Sequence, residues 1–376
     1  MPLPALLSRL FRASIREGNE PGRKVTWLEL FFDLVFVAAV SQVGAPLGVD
    51  FSLAGLGRFA FLFVLIFWAW LGHASYATRF DHDDAVHRAL TFVQMFMAAV
   101  MAVNAKDALG SRDSAGFAAA YGVMRLVLVA QYLRVRHVES SRRLTAAFAR
   151  GFGVAAVLWL ASAVVPLPYR FWIWAVALAV DLSTPLLAGR HTLHALPHAH
   201  HLPERFGLFT IILLGDAMAG VMRGMESQES WPLDAFLSAV LGMLLVFLLW
   251  WLYFDVARGA DERQVLTEAD VMRLHAWSYG HVPLFVGIAV AGVGIHHTIA
   301  VAAAGHLPAV ESWILCGAVA LSTSALAWIA PRRRAPVLIV SALTLGLGAS
   351  GPLVPCSAVI GFIVVTLLLQ VRIARS

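Results

Sequence analysis

Twelve mostly apolar stretches, most about 20 residues long, govern what this chain can fold into. They fall at roughly 27–47, 54–77, 87–106, 114–135, 145–165, 169–188, 204–222, 233–256, 274–303, 309–330, 335–350 and 352–371, separated by charge, proline or glycine. About 20 such residues in a helix cross the roughly 30 Å hydrocarbon core of a bilayer. A helix also satisfies its own backbone hydrogen bonds there, which an open strand cannot do. The expected fold is all-α: a polytopic integral membrane protein with about twelve transmembrane helices. The last two stretches are the weakest, being short and divided only by Gly351-Pro352, which suits a tight hairpin.

Composition agrees. Hydrophobic residues make up 60% of the 376 and charged residues 14%, with a mean hydropathy of +0.76. Soluble domains average about 25% charged. The contrast excludes an ordinary soluble enzyme, a disordered chain and a nucleic-acid binder, despite a pI of 9.6. Cys316 and Cys356 both lie in apolar stretches, and no CxxC or zinc-ligand spacing occurs.

The cations set the orientation. With the N-terminus in the cytoplasm, 22 of the 28 Lys and Arg residues fall in or beside inside segments and 5 on the outside, with Arg125 inside a span. This bias predicts cytoplasmic N- and C-termini and an even number of spans in a bacterial inner membrane. Residues 1–26 lack the basic start, apolar core and small-residue cleavage site of a secretory signal. Leu3, Leu6, Leu7, Leu10, Phe11 and Ile15 instead share a helical face beside Arg9, Arg12 and Arg16. That pattern suits either a short helix on the anionic lipids of the inner leaflet or a disordered basic tail.

The chain carries signs of an internal repeat. WLELFFDLVFVAAV opens the first span and LPERFGLFTIILLGDA the seventh, with Glu29 matching Glu204 and Phe31 matching Phe206 at an offset of 175. The second and eighth spans both end in Trp, then Tyr, then Phe-Asp, and His87 and Arg88 correspond to Arg273 and His275. Two six-helix repeats in parallel orientation are expected, related by a pseudo-two-fold along the membrane normal. The divisions are a basic segment 1–26, a first half 27–188, a His-rich cytoplasmic loop 189–203 and a second half 204–372.

These motifs resemble the bacterial low temperature requirement protein A family. The residues concerned are ELFFDLVFV (Glu29 to Val37), RFD (Arg79 to Asp81), HLPERFGLFTIILLGD (His201 to Asp216), WWLYFD (Trp250 to Asp255) and SYGHVPLFVGI (Ser278 to Ile288). The resemblance covers nearly the whole chain after residue 24. One departure is Leu214-Gly215-Asp216, where the family usually has LGE; the carboxylate is kept but shortened by one methylene. The resemblance implies a part in growth at low temperature and supplies neither a reaction nor a substrate.

Chemistry must therefore come from polar residues inside the spans. A charge at mid-membrane costs at least about 2.5–3.5 kcal/mol and normally faces the bundle interior. Glu29 and Asp33 are four apart on one helical face, with Asp33 about 9 Å beyond the helix start. Together they suit a proton site, although Glu29 also suits an anion anchoring the helix N-terminus. Glu204 and Arg205 open the seventh span, where an interfacial pair with Arg205 snorkelling is the simpler expectation. Asp216 lies about 18 Å deeper than Glu204 and needs a partner, for which Arg125 in the fourth span is the first candidate. Asp181 in the sixth span is another candidate partner for Asp216. Asp255 and His281 belong to the family-like motifs of the second half.

His191, His194, His198, His200 and His201 crowd the loop before the seventh span. Without cysteine or a fixed helix face they read as solvated or pH-sensing rather than as a zinc site, and His201 stands out within a motif. His296 and His297 form an outward candidate, and His73 and Tyr76 share a face of the second span. No nucleophile elbow, HExxH, Walker loop or dinucleotide fingerprint occurs. The only lysines, Lys24 and Lys106, sit at span edges. No catalytic residue, metal or cofactor is expected, and the chain is not expected to be an enzyme. Gly287, Gly292 and Gly294 suit close helix packing better than a broken helix.

The favoured reading is a proton-coupled secondary transporter of a small solute, whose partners are the bilayer, protons and that solute. The alternatives are a non-catalytic sensor or scaffold in cold or stress adaptation, and an intramembrane lipid-modifying enzyme using His201, Glu204 and Arg205.

Overall fold

A computed structural model describes residues 14–15, 25–81, 84–110, 113–198, 200–228, 230–257, 265, 267–330 and 334–375. Among these, twelve helices are long and apolar enough to cross a membrane. They are α1 (Trp27–Val49), α2 (Leu53–Ala77), α3 (Ala85–Asn104), α4 (Ser114–Arg134), α5 (Arg142–Val164), α6 (Tyr169–Ala188), α7 (His201–Glu226), α8 (Leu233–Ala257), α9 (Glu268–Ala300), α10 (Ala309–Ile329), α11 (Arg334–Gly346) and α12 (Cys356–Arg375). The span containing α11 runs on through a 3-10 stretch, Leu347–Leu353, which includes Gly351-Pro352. The last apolar region divides into two spans as expected, but the break follows Leu353 instead of falling at Gly351-Pro352.

Outward faces of these helices carry large apolar side chains such as Phe31, Phe92, Phe96, Trp172, Val176, Phe247 and Val365, each at least 40% exposed. In water such surfaces would drive association. Around a multi-pass membrane protein they meet lipid.

The amphipathic helix expected near the N-terminus lies outside the described residues, apart from Ser14–Ile15. Those two are extended and pair antiparallel with Phe80–Asp81.

The chain divides into two compact units. One draws on residues 1–39, 64–206 and 262–276, the other on 40–63, 207–261 and 277–376. In the first unit α4 packs against α3 and α5, and α5 against α6. Its aromatic core includes Tyr121, Trp159 and Trp174, all fully buried, with ring centroids 4.5 Å and 5.0 Å apart in succession. A second layer gathers Tyr76, Phe80, Tyr132, Phe148 and Phe152. The loop after α6 is tied to this layer: Arg79 donates through Nε to the Ala195 carbonyl (3.1 Å) and through Nη1 to the Ser75 carbonyl (2.6 Å). Burial pulls the Arg79 guanidinium below its ordinary pKa.

In the second unit α8 packs against α12, and α10 against α11. The glycines of α9 serve close packing, as expected. A Cβ on Gly292 would lie 2.9 Å from the Ala217 Cα of α7, and one on Gly287 2.5 Å from the Ala318 carbonyl of α10. Asp234 of α8 caps α12 by accepting from the Ser357 backbone N–H at 3.0 Å and from its hydroxyl.

Candidate functional site

The first turn of α1 begins with Thr26, and its sequence explains why it starts there. The Glu29 carboxylate accepts from the Thr26 N–H (2.9 Å) and hydroxyl (3.0 Å), while the Glu29 N–H donates to Thr26 Oγ1 (3.3 Å). This is a capping box, which satisfies backbone donors that the helix leaves open. It uses Glu29 Oε2 and leaves Oε1 for a second task.

That task is electrostatic. Glu29 Oε1 lies 3.1 Å from His201 Nε2 and 3.4 Å from Arg205 Nη1, both on the first turns of α7. One turn along α1, Asp33 takes Arg205 with two bonds, Nε to Oδ2 at 2.9 Å and Nη2 to Oδ1 at 2.5 Å. Trp70 of α2 donates its indole N–H to Asp33 Oδ1 at 2.6 Å. Asp33 and Arg205 are fully buried, and Glu29 and His201 are at most 4% exposed. The Phe32 and Phe206 rings wall the group; Phe32 stacks on His73 with centroids 4.1 Å apart, and Phe206 meets Trp70 edge-on at 5.2 Å.

The charge count decides what this arrangement can do. Two carboxylates face one guanidinium and one imidazole. With His201 neutral the group carries one net negative charge; one added proton neutralises it. Among buried side chains an unbalanced charge is costly.

The structure brings Glu29, Asp33, His201 and Arg205 together, and it corrects the expectation for Glu204 and Arg205. Arg205 does not snorkel beside Glu204. It points into the bundle, while Glu204 is exposed. The two residues are adjacent, so about 100° of helical turn separates them; the acids of α1 capture one and leave the other outside. Matched repeat positions Glu29 and Glu204 accordingly sit in opposite surroundings.

A second correction concerns Arg125. Its partner is Asp181 of α6, with Nε to Oδ2 at 2.8 Å, and Tyr121 joins them by donating to Asp181 Oδ2 (2.6 Å) while accepting from Arg125 Nη2 (2.7 Å). All three are at most 1% exposed. Gly72 of α2 makes the room: a Cβ there would stand 2.7 Å from Arg125 Nη1. Asp216, the partner expected from depth, instead accepts from Ser41 Oγ at 2.8 Å and lies 3.7 Å from Arg223. Asp216 and Arg223 are 28% and 49% exposed, so this contact is loose and polar.

The remaining candidates have partners of their own. Asp255 is exposed on α8, where it accepts from Trp251 Nε1 at 2.7 Å and meets Arg375 at 3.2 Å. His281 is fully buried on α9, held between the Trp277 carbonyl (2.9 Å) and the Tyr253 hydroxyl (3.4 Å). His297 pairs with Glu311 at 2.8 Å. Of the loop histidines, His198 is drawn in through its backbone N–H to the Thr78 carbonyl at 3.1 Å. Among the described residues no group of three or more His, Cys, Asp or Glu is arranged to hold a metal ion.

Sequence reasoning missed Trp70, Tyr121 and Ser41 as partners. Periodicity places them on buried faces and cannot say what they touch. The T-x-x-E spacing of Thr26 and Glu29 was a readable signal for the capping box.

The family model for the bacterial low temperature requirement A protein (LtrA) matches residues 24–373. A protein of Rhizobium meliloti (strain 1021), described as uncharacterized protein RA0937, is 28% identical over 305 residues, covering 76% of this chain and 72% of that one. No solved structure matches.

Proposed function

Because the chain belongs to the bacterial low temperature requirement A protein (LtrA) family, we propose that this multi-pass membrane protein is a proton-coupled secondary transporter of a small solute. In this reading it sits in the bacterial inner membrane with both termini in the cytoplasm, and it carries out no enzymatic reaction. Two six-helix repeats in parallel orientation are part of the same reading.

One observation carries the proposal: two buried carboxylates, Glu29 and Asp33, face a single guanidinium, Arg205, and the imidazole of His201. Proton uptake by His201 turns its contact with Glu29 into an imidazolium–carboxylate pair and tightens the hold of α1 on the first turn of α7, and deprotonation loosens it. A carrier needs a contact of this kind, one that closes and opens with the coupling ion. Asp216 with Ser41 offers a second carboxylate, 28% exposed.

The test is proton flux into liposomes holding the purified protein, with wild type beside Glu29→Gln and Asp33→Asn/Asp216→Asn. The expected result is flux in the wild type and its loss in both variants. Flux unchanged in all three removes the carboxylates from the route.

A non-catalytic sensor or scaffold in stress adaptation is the second reading. Its support is that Asp33 already accepts three hydrogen bonds, two from Arg205 and one from Trp70, which suits a permanent staple. No proton flux in any of these proteins, all equally well folded, would favour it.

A further inference from the structure

The buried face of α3 changes character along its length. His87, Thr91 and Gln94 occupy it in the first half, Ala98 and Met101 in the second. Apolar residues throughout would suit dry packing. Polar ones over two turns have to be satisfied by something.

The protein satisfies them only in part. Gln94 Nε2 donates to Gln131 Oε1 of α4 at 3.4 Å. Thr91 Oγ1, Gln94 Oε1, Gln131 Nε2 and His73 Nδ1 have no hydrogen-bond partner among the described residues, though all four side chains are at most 1% exposed. Inside a membrane protein, orphaned groups collected between three helices mark a cavity-lining surface rather than a lipid-facing one. Their chemistry is neutral, with donors and acceptors mixed.

The cluster has two ends. One is His73, stacked on Phe32, which is the neighbour of Asp33 on α1. The other is His87, 7% exposed on the first turn of α3, with its ring centroid 6.0 Å from that of His73. Asp84 caps that turn through the His87 N–H and pairs with Arg134 at 2.5 Å, which places a fixed ion pair where α3 begins and α4 ends.

We infer that α2, α3 and α4 enclose a water-filled inlet running from the start of α3 to His73, beside the Asp33–Arg205 pair. Its ligand is a neutral hydrogen-bonding one, supplied by a file of water molecules. Water there donates to Gln94 Oε1, accepts from Gln131 Nε2, and joins His87 to His73 through Thr91. The inlet deepens the transport reading by giving protons a path to the buried group.

The experiment reads water access rather than transport. Single cysteines are introduced as Thr91→Cys and Gln94→Cys on the polar half, and as Ala98→Cys and Met101→Cys on the apolar half. The native Cys316 and Cys356, both buried, serve as internal slow references. Sealed vesicles are treated from each face with a membrane-impermeant methanethiosulfonate, and modification is followed by mass spectrometry. Cysteines at 91 and 94 are expected to react at least about tenfold faster than those at 98 and 101, which react only through local opening, and from the face on which α3 begins. Rates within about twofold across the polar and apolar halves, or reaction from the opposite face alone, overturn the inlet. Thr91→Cys and Ala98→Cys change little volume, so this pair decides the matter if the larger replacements fail to fold. Labelling without proton flux keeps the inlet and removes the transport reading; flux without labelling does the reverse.

Discussion

The guanidinium of Arg205 lies across both carboxylate oxygens of Asp33, joining α7 to α1 through residues 172 apart in sequence. The fork of Arg matches a carboxylate in a way that the single ammonium of Lys does not. Removing one member of a buried pair strands the other, whereas removing both often costs little.

Arg205→Ala is therefore expected to cost about 3–5 kcal/mol, and Arg205→Ala/Asp33→Asn distinctly less than the single change. Arg205→Lys should fall between them, because it keeps the charge and loses one of the two bonds. Denaturant titration in detergent gives the ranking. A double variant as damaged as the sum of its parts would mean that the two residues act independently.

Arg125 is expected to couple to Asp181 and not to Asp216. In a double-mutant cycle, Arg125→Leu with Asp181→Leu should show a coupling of roughly 1–3 kcal/mol, while Arg125→Leu with Asp216→Asn should be additive within about 0.5 kcal/mol. The difference follows from burial: Asp181 is sealed with Arg125, and Asp216 holds its own half-exposed partners.

Gly72→Ala tests the packing around the same arginine. Its new methyl would arrive 2.7 Å from Arg125 Nη1 and 2.9 Å from Leu128 Cδ2. Overpacking of this kind costs about 1–3 kcal/mol. Thermal unfolding should show the loss, and adding Leu128→Ala should restore part of it by clearing one of the two contacts.

Thr26→Val removes the cap of α1 and one support of Glu29. A lost N-cap is expected to cost about 0.5–2 kcal/mol, and Thr26→Ser should be nearly neutral because the hydroxyl remains. Proton flux should suffer in Thr26→Val, where Glu29 loses its hydroxyl donor, and persist in Thr26→Ser.

Much of the fold was legible because length and hydropathy alone determine a membrane helix. Even the weakest pair formed, with the break between them after Leu353 and not at Gly351-Pro352. Residues of the site were legible for the same reason: a charge inside an apolar stretch is conspicuous, and Glu29, Asp33, Arg125, Asp181, Arg205 and Asp216 all stood out. Their pairing was not. Depth along a helix suggested Arg125 for Asp216, but depth gives one coordinate, and the rotation and neighbours of each helix supply the others. Glu204 and Arg205 make the same point, since adjacent residues of similar polarity went to opposite environments. Thr91, Gln94 and Gln131 escaped notice because neutral polar residues are common in membrane helices and periodicity does not distinguish a buried amide from a lipid-facing one.

The span of 172 residues between Asp33 and Arg205 also bears on how the chain is made. Synthesis proceeds at about 5–20 residues per second, so α1 waits roughly 9 to 34 seconds after Asp33 is polymerised before Arg205 exists to meet it. During that interval two carboxylates of the first hydrophobic segment have no cation from α7. The segment must enter the bilayer with those acids protonated, hydrated near the surface, or sheltered by the insertion machinery. Its placement thus stays provisional until the seventh helix arrives, and truncations ending before residue 205 should hold the first segment less firmly than those ending beyond it.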